Sequence, residues 1–358
     1  SVGRLNTAVK DFPGIELGNI AVIAENDLRI NNGQFFLRRK GTTGREGLCA
    51  AGLGCTSSLR WSDLNGGLVD QYRADGIRYD SPTIMGFTLS ASVTDDVKWD
   101  VALRYSGEWN GFKVASAVGY MSDMDEQQYN GEPFTQTSGA IDTTFRLKTG
   151  RREANDFKYN WSVLHVGTGL FMNGAWWRRE FKGDGGVDTT SAAFCLNSAA
   201  GNGANTGCQR PDVEEFWIAG GIRRNFFGIG DTSLYGQYGK ITDGITGQAF
   251  NFSGCDSANA SAACGTSTTI SGLHQGASGG FNLGAVTDSS IKTIGAGVVQ
   301  NIDAAAMTMY LGWQHRTVDV TGCTTAACAT ANSASSAVTV KQNFEALDTV
   351  YGGAIIRF

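Results

Sequence analysis

From Val97 to Tyr105 every second residue is apolar or aromatic: Val97, Trp99, Val101, Leu103, Tyr105. The positions between them hold Lys98, Asp100, Ala102 and Arg104. After Asn110-Gly111 the alternation resumes through Phe112, Val114, Val118 and Tyr120. Period-two alternation on both sides of Asn-Gly predicts a β-hairpin. The same pattern recurs along the chain and predicts twelve strands: 1–9, 72–81, 87–95, 97–109, 112–122, 156–166, 169–181, 213–226, 231–242, 290–302, 305–320 and 340–358. Most are at least as long as the ~9–11 residues that a tilted strand needs to cross a bilayer.

The connections alternate in kind. Those at 84–86, 110–111, 166–169, 227–231 and 301–304 are short. Those at 10–71, 123–155, 182–212, 243–289 and 321–339 are long, and only 95–97 in that set is tight. A soluble sandwich has no reason to gather its long loops at one end. A transmembrane antiparallel β-barrel does, with short turns on one side and long loops on the other. The expected fold class is therefore all-β, a membrane barrel occupying 1–358 as one domain. Its apolar strand faces would meet lipid, and its charged faces would line a wet interior.

Composition sharpens this picture. The chain has 358 residues, 49 Gly, only 4 Pro, 10% aromatic and 18% charged residues. No apolar run reaches the ~18 residues of a membrane helix, and mean hydropathy is −0.17. These values exclude a helical membrane protein but not a barrel. A net charge of −5 argues against a nucleic-acid partner. Without a starting Met or a signal peptide, the chain reads as processed or incomplete. Candidate girdle aromatics include Trp99, Trp109, Phe112, Tyr120 and Trp313. Trp176-Trp177 cannot both face lipid in a regular strand, so one faces the lumen or a bulge intervenes.

The eight cysteines, Cys49, Cys55, Cys195, Cys208, Cys255, Cys264, Cys323 and Cys328, fall in pairs within four of the long loops. None lies in an expected strand. Local pairing, 49–55, 195–208, 255–264 and 323–328, is the economical disulfide arrangement. Each bridge would close a short loop, worth roughly 2–3 kcal/mol. Metal ligation is the competing use, but no CxxC occurs and His165, His274 and His315 are scattered. No metal and no cofactor are expected.

Five stretches resemble the general diffusion porins of Gram-negative outer membranes: SVGR (1–4), GIRYDSPTIMGFTLSAS (76–92), SVLHVGTGLF (162–171), GVVQNIDAAAMTMYLGW (297–313) and the terminal IIRF (355–358). The resemblance implies a 16-stranded barrel in the outer membrane, usually a homotrimer among lipid and lipopolysaccharide, that passes small hydrophilic solutes and ions. In that family the constricting loop follows the fifth strand, whereas here the matching strand opens the chain. Four further strands upstream would complete the family count, and a genuine 12-stranded barrel is the alternative. The resemblance also makes 10–71 the inward-folding constriction loop. It places Arg4 and Arg78 on the wall, opposite Asp11, Glu16, Glu25 and Asp27 of that loop. Arg104 joins them by strand pattern alone.

The expected function is passive diffusion, with a substrate-specific channel, a barrel enzyme or an adhesin as competitors. No G-x-S-x-G, H-E-x-x-H or P-loop is present, so the sequence is read as that of a non-enzyme.

Overall fold

In a computed structural model of the chain, the described residues are 1–27, 35, 37, 40, 45–50, 54–58, 61–68, 70, 73–95, 98–123, 153–182, 211–246, 250–255, 281–283, 285–323 and 339–357. Their strands, in chain order, are β1 (Val2–Leu5), β2 (Arg45–Ala50), β3 (Gly54–Ser58), β4 (Ala74–Asp80), β5 (Phe87–Thr94), β6 (Lys98–Trp109), β7 (Phe112–Asp123), β8 (Glu153–His165) and β9 (Leu170–Lys182). The second half adds β10 (Val213–Arg224), β11 (Thr232–Thr242), β12 (Phe250–Cys255), β13 (Phe281–Leu283), β14 (Ala285–Ile302), β15 (Met307–Cys323), β16 (Thr339–Asn343) and β17 (Leu347–Ile356).

One antiparallel sheet runs β1-β4-β5-β6-β7-β8-β9-β10-β11-β14-β15 and ends on β16 and β17. β16 pairs with Asp319–Cys323 of β15 and β17 with Met307–Arg316 of the same strand. The two therefore act as one strand broken near Phe344, which gives twelve strand positions. Among the described residues no ladder joins β1 to β17, so the sheet is not closed. The connections β4–β5, β6–β7, β8–β9, β10–β11 and β14–β15 are tight and lie at one end, and at the other only that between β5 and β6 is short. Asn110 (φ 49°) and Gly111 (φ 79°) form the two-residue turn that needs positive φ at both positions. Met85 and Gly86 repeat it between β4 and β5.

The faces of the strands are inverted relative to a soluble sheet. Trp99, Val101 and Leu103 are exposed on the outer surface, while Asp100 and Ala102 are buried inside. The aromatics form two outer groups. Trp99 lies 5.6 Å from Tyr120, and Phe157 lies 5.4 Å from Trp176, toward the long loops. Phe87 packs 4.7 Å from Tyr105, and Phe112 4.7 Å from His165, toward the tight turns. Ten residues of strand separate Trp99 from Trp109. That spans about 33 Å along the strand, or about 25 Å across a bilayer at ordinary barrel tilt. The register through β8 and β9 is unbroken, so Trp176 and Trp177 simply point to opposite faces. Trp177 is the inner one and fully buried, its indole Nε1 donating to Asn160 at 2.6 Å.

The first strand is shorter than the expected 1–9. After Leu5 the chain turns inward, and Thr7, Ala8 and Val9 are buried inside the sheet. The expected long loop 10–71 also contains elements of its own, the hairpin β2–β3 and a 3-10 turn at Trp61–Asn65. A second sheet, β13-β12-β2-β3, joins that loop to the 243–289 connection.

The expectation that no strand carries a cysteine is corrected. Cys49 and Cys55 lie on β2 and β3, Cys255 ends β12 and Cys323 ends β15. The register sets Cys49 opposite Cys55, the backbone placement that a local bridge requires. Cys195, Cys208, Cys264 and Cys328 lie outside the described residues.

Candidate functional site in the lumen

The hydrophobic core of this protein sits within the sheet. Phe12, Ile20 and Ile23 of the inward segment cluster with Trp61, Leu64 and Leu68 from its return. The wall makes room for them with glycine. A Cβ on Gly119 of β7 would lie 2.7 Å from Val9 and 2.8 Å from Phe12. One on Gly312 of β15 would lie 2.7 Å from Ile23. The apolar residues of 12–23 thus pack on the inner wall, as loop residues that merely covered a rim would not.

Polar wall groups tether the segment from one side of the sheet to the other. Ala8 N donates to Ser92 Oγ of β5 at 3.0 Å, and Val9 N to Asp100 Oδ2 of β6 at 2.9 Å. Leu17 N donates to Ser162 Oγ of β8 at 2.8 Å. Arg223 Nη1 of β10 donates to Leu17 O at 2.9 Å, and Ser233 Oγ of β11 to Gly18 O at 2.6 Å. Tyr351 OH of β17 donates to Ile23 O at 2.8 Å. Each such bond adds roughly 0.5–1.5 kcal/mol, and those from a guanidinium roughly 1.5–3. The segment is therefore a fixed crosspiece.

The sequence-selected residues take different places. Arg78 is inward and mostly buried. Its Nη1 donates to Asn6 O at 3.1 Å and Thr7 O at 2.9 Å, and its Nη2 pairs with Asp80 at 2.7 Å. Arg104 donates from Nη2 to Ala8 O at 2.6 Å and Lys10 O at 3.0 Å, and its guanidinium stands 5.2 Å over the Phe12 ring. Arg4 does not join them. It is paired in register with Asp75, on the face that carries Ile77 and Tyr79, which is the outer one.

The acids are also redistributed. Asp11 is exposed, accepts from Asn6 Nδ2 at 2.8 Å and lies 3.4 Å from Lys10. Glu16 is drawn into its own loop, where Oε1 accepts from Ile20 N at 3.1 Å and Ala21 N at 3.3 Å. Burial raises its carboxyl above the usual carboxylate range. Glu25 is half-buried. Asp27 is fully buried and accepts from Asp70 N at 3.0 Å. Of the four expected acids, Glu16 thus serves the segment's own backbone and Asp27 that of its return at Asp70, and neither lines an open path. Lys10 bonds Asp70 at 2.9 Å. Burial works against its ammonium, but the bond and charge of Asp70 outweigh this and raise its pKa.

Sequence reasoning missed a second charged group, farther along the sheet on β8, β9 and β10. Arg179 of β9 makes a two-point pair with Asp156 of β8 at 2.6 and 3.0 Å, both side chains fully buried. Lys158 lies 4.2 Å over the Trp177 ring, and Glu215 of β10 is buried on the same side. The signal was present, since each of these residues occupies a polar position of an alternating strand. What the pattern lacked was any indication that this stretch of wall, too, would be covered from within.

No protein-family model and no curated protein matches the sequence. Among solved structures, the chain is similar to OmpT of Vibrio cholerae expressed in the outer membrane, at 12% identity and TM-score 0.36, over 89% of this chain and 76% of that one. A form of the same outer-membrane protein lacking loop L8 gives 10% and 0.36, over 88% and 74%. BamA of Haemophilus ducreyi lacking POTRA domains 1–3 gives 9% and 0.24, over 92% and 77%. Likeness at this level carries no argument about activity. The membrane reading rests on the sheet's own exterior, an apolar outer face between two aromatic groups. The expectation of a non-enzyme is withdrawn, because it rested on absent motifs alone. A missing sequence motif says nothing about side chains that separate strands bring together.

Proposed function

We propose that the protein is an outer-membrane channel for small hydrophilic solutes and ions, narrowed by the segment 6–27. The observation that carries this reading is the crosspiece itself, a segment held across a polar interior by wall groups from β5 to β17. A segment fixed in this way leaves the width beside it constant, which suits unassisted diffusion selected by size and local charge. Arg78, Arg104, Lys10 and the exposed Asp11 give one flank of the segment a mixed, partly wet charge pattern. The surroundings that go with this reading are outer-membrane lipid and lipopolysaccharide, and the assembly is a homotrimer. The purified full chain in a planar bilayer should give discrete, ohmic current steps in potassium chloride. Absence of steps from folded, inserted protein would end the reading.

A further inference from the structure

Arg316 lies on the inner face of β15 and is 2% exposed. Its Nη2 donates to Gln314 Oε1 at 2.9 Å, while Nε and Nη1 have no hydrogen-bond partner among the described residues. This sets it apart from the other inward arginines, which reach carboxylates or backbone carbonyls. Among the described residues the inner strand faces around it supply no counter-charge. Along β11 they carry Ser233, Tyr235, Gln237, Gly239 and Ile241. Along β14 they carry Ile291, Thr293, Gly295, Gly297 and Val299, and along β17 Leu347, Thr349 and Tyr351. Asp319 and Asp348 are on the outer face, where they pair with Lys341 at 2.7 Å and His315 at 2.9 Å.

A second unused donor stands beside it. Gln237, Gly295 and Gln314 form one row across β11, β14 and β15. Gln237 Nε2 and Gln314 Cγ both approach the open side of Gly295, within 2.8 and 3.1 Å of where a Cβ would stand. Gln237 Oε1 accepts from Trp217 Nε1 at 3.1 Å, which orients the amide and leaves its buried Nε2 unpartnered. A buried guanidinium without an anion is costly, and so is each buried N–H without an acceptor. One ligand with several acceptor oxygens and negative charge relieves both.

We propose that Arg316 and Gln237 form an internal seat for a small oxyanion, a carboxylate or a phosphate, on the wall of β11, β14 and β15. The seat deepens the channel reading and rests on it for the kind of solute that passes. Calorimetric titration of the detergent-solubilised full chain with sodium phosphate, and separately with sodium acetate, tests the seat directly. Saturable binding of at least one of them is expected, weakened about ten-fold or more in Arg316→Gln and by less in Arg316→Lys and Gln237→Leu. Sodium chloride titrated alone should bind more weakly. No saturable binding to the unsubstituted chain overturns the proposal, as does equal binding by folded Arg316→Gln or equal affinity for chloride. If Arg316→Gln does not fold, the same comparison is made with Gln237→Leu, whose unchanged affinity would overturn it. In planar bilayers the better-bound anion should lower the chloride current saturably, at higher concentration in the variants. Current without oxyanion binding refutes the seat and leaves the channel, whereas binding without current refutes the channel and leaves the seat.

Discussion

Two walls of the same lumen use their cations in opposite ways. On β4 and β6, Arg78 and Arg104 are partly exposed and donate to the carbonyls of Asn6, Thr7, Ala8 and Lys10. On β8 and β9, Lys158 and Arg179 are fully buried, the one over an indole ring and the other locked to Asp156. Carbonyls leave Arg104 its full charge, which a nearby solute feels through water, while Arg78 is offset only in part, by the half-exposed Asp80 at 2.7 Å. A two-point carboxylate pair cancels the charge, and burial removes the water. In the proposed channel the first wall is therefore able to tune what passes, while the second holds the barrel interior together.

The largest effect should come from breaking the second wall. Asp156→Asn removes the carboxylate charge paired with the buried Arg179 and should cost about 3–5 kcal/mol, read from urea unfolding in detergent. Replacing the pair together, Asp156→Leu with Arg179→Met, should restore most of that loss, because the desolvation cost disappears with the charges. If the double variant is no better than the single, the pair's contribution is not electrostatic.

Next comes the outer surface. Val101→Arg places a charge on the exterior between the two aromatic groups and should cost about 2–4 kcal/mol in a bilayer. A negligible loss in lipid would show that this face does not meet the membrane.

The first wall should respond in selectivity more than in stability. Arg104→Ala removes two charged tethers, of roughly 1.5–3 kcal/mol each at most. Combined with Arg78→Ala, it should shift the reversal potential toward cations in dilute salt and leave conductance equal or higher. The shift should fade as ionic strength rises and the Debye length shortens below ~10 Å. An unchanged reversal potential in dilute salt would remove these arginines from the ion path.

The smallest expected effect is the titration of Glu16. Its pKa in the folded chain is raised, so the folded form binds the proton that the unfolded chain has already lost. The segment is then most firmly held at low pH and loosens as pH rises from the ordinary carboxylate value through the raised one. Amide protection at Ile20 and Ala21 should therefore be greater near about pH 4 than near about pH 8, and flat in Glu16→Gln. Protection that rises with pH would reverse the assignment.

The strands were legible because each carries its own evidence of period. β6, β7 and β11 lie where alternation predicts them, to within a residue. The turn at Asn110-Gly111 was legible because only certain residues accept positive φ at both positions. Arg104 was legible as inward by parity, and Arg78 through the resemblance that placed it on the wall. Arg4 was not, because resemblance placed it on the wall whereas its register with Asp75 turns it outward. The roles of Glu16 and Asp27 were hidden for a different reason. A carboxylate at an irregular position carries no period, and whether it faces water or its own backbone depends on how the segment folds back.

The sequence by itself determined the antiparallel strands, their inverted faces and the unequal ends, since these follow from neighbours one and two residues apart. Tertiary structure alone decided which inward charges meet. Asp156 reaches Arg179 and Tyr351 reaches Ile23 across 23 and 328 residues of chain. It also decided that Arg316 meets no carboxylate among the described residues, because Asp319 and Asp348 lie on the outer face. Contacts of that range are set by register and by the path of the inward segment. Neither leaves a period in the sequence.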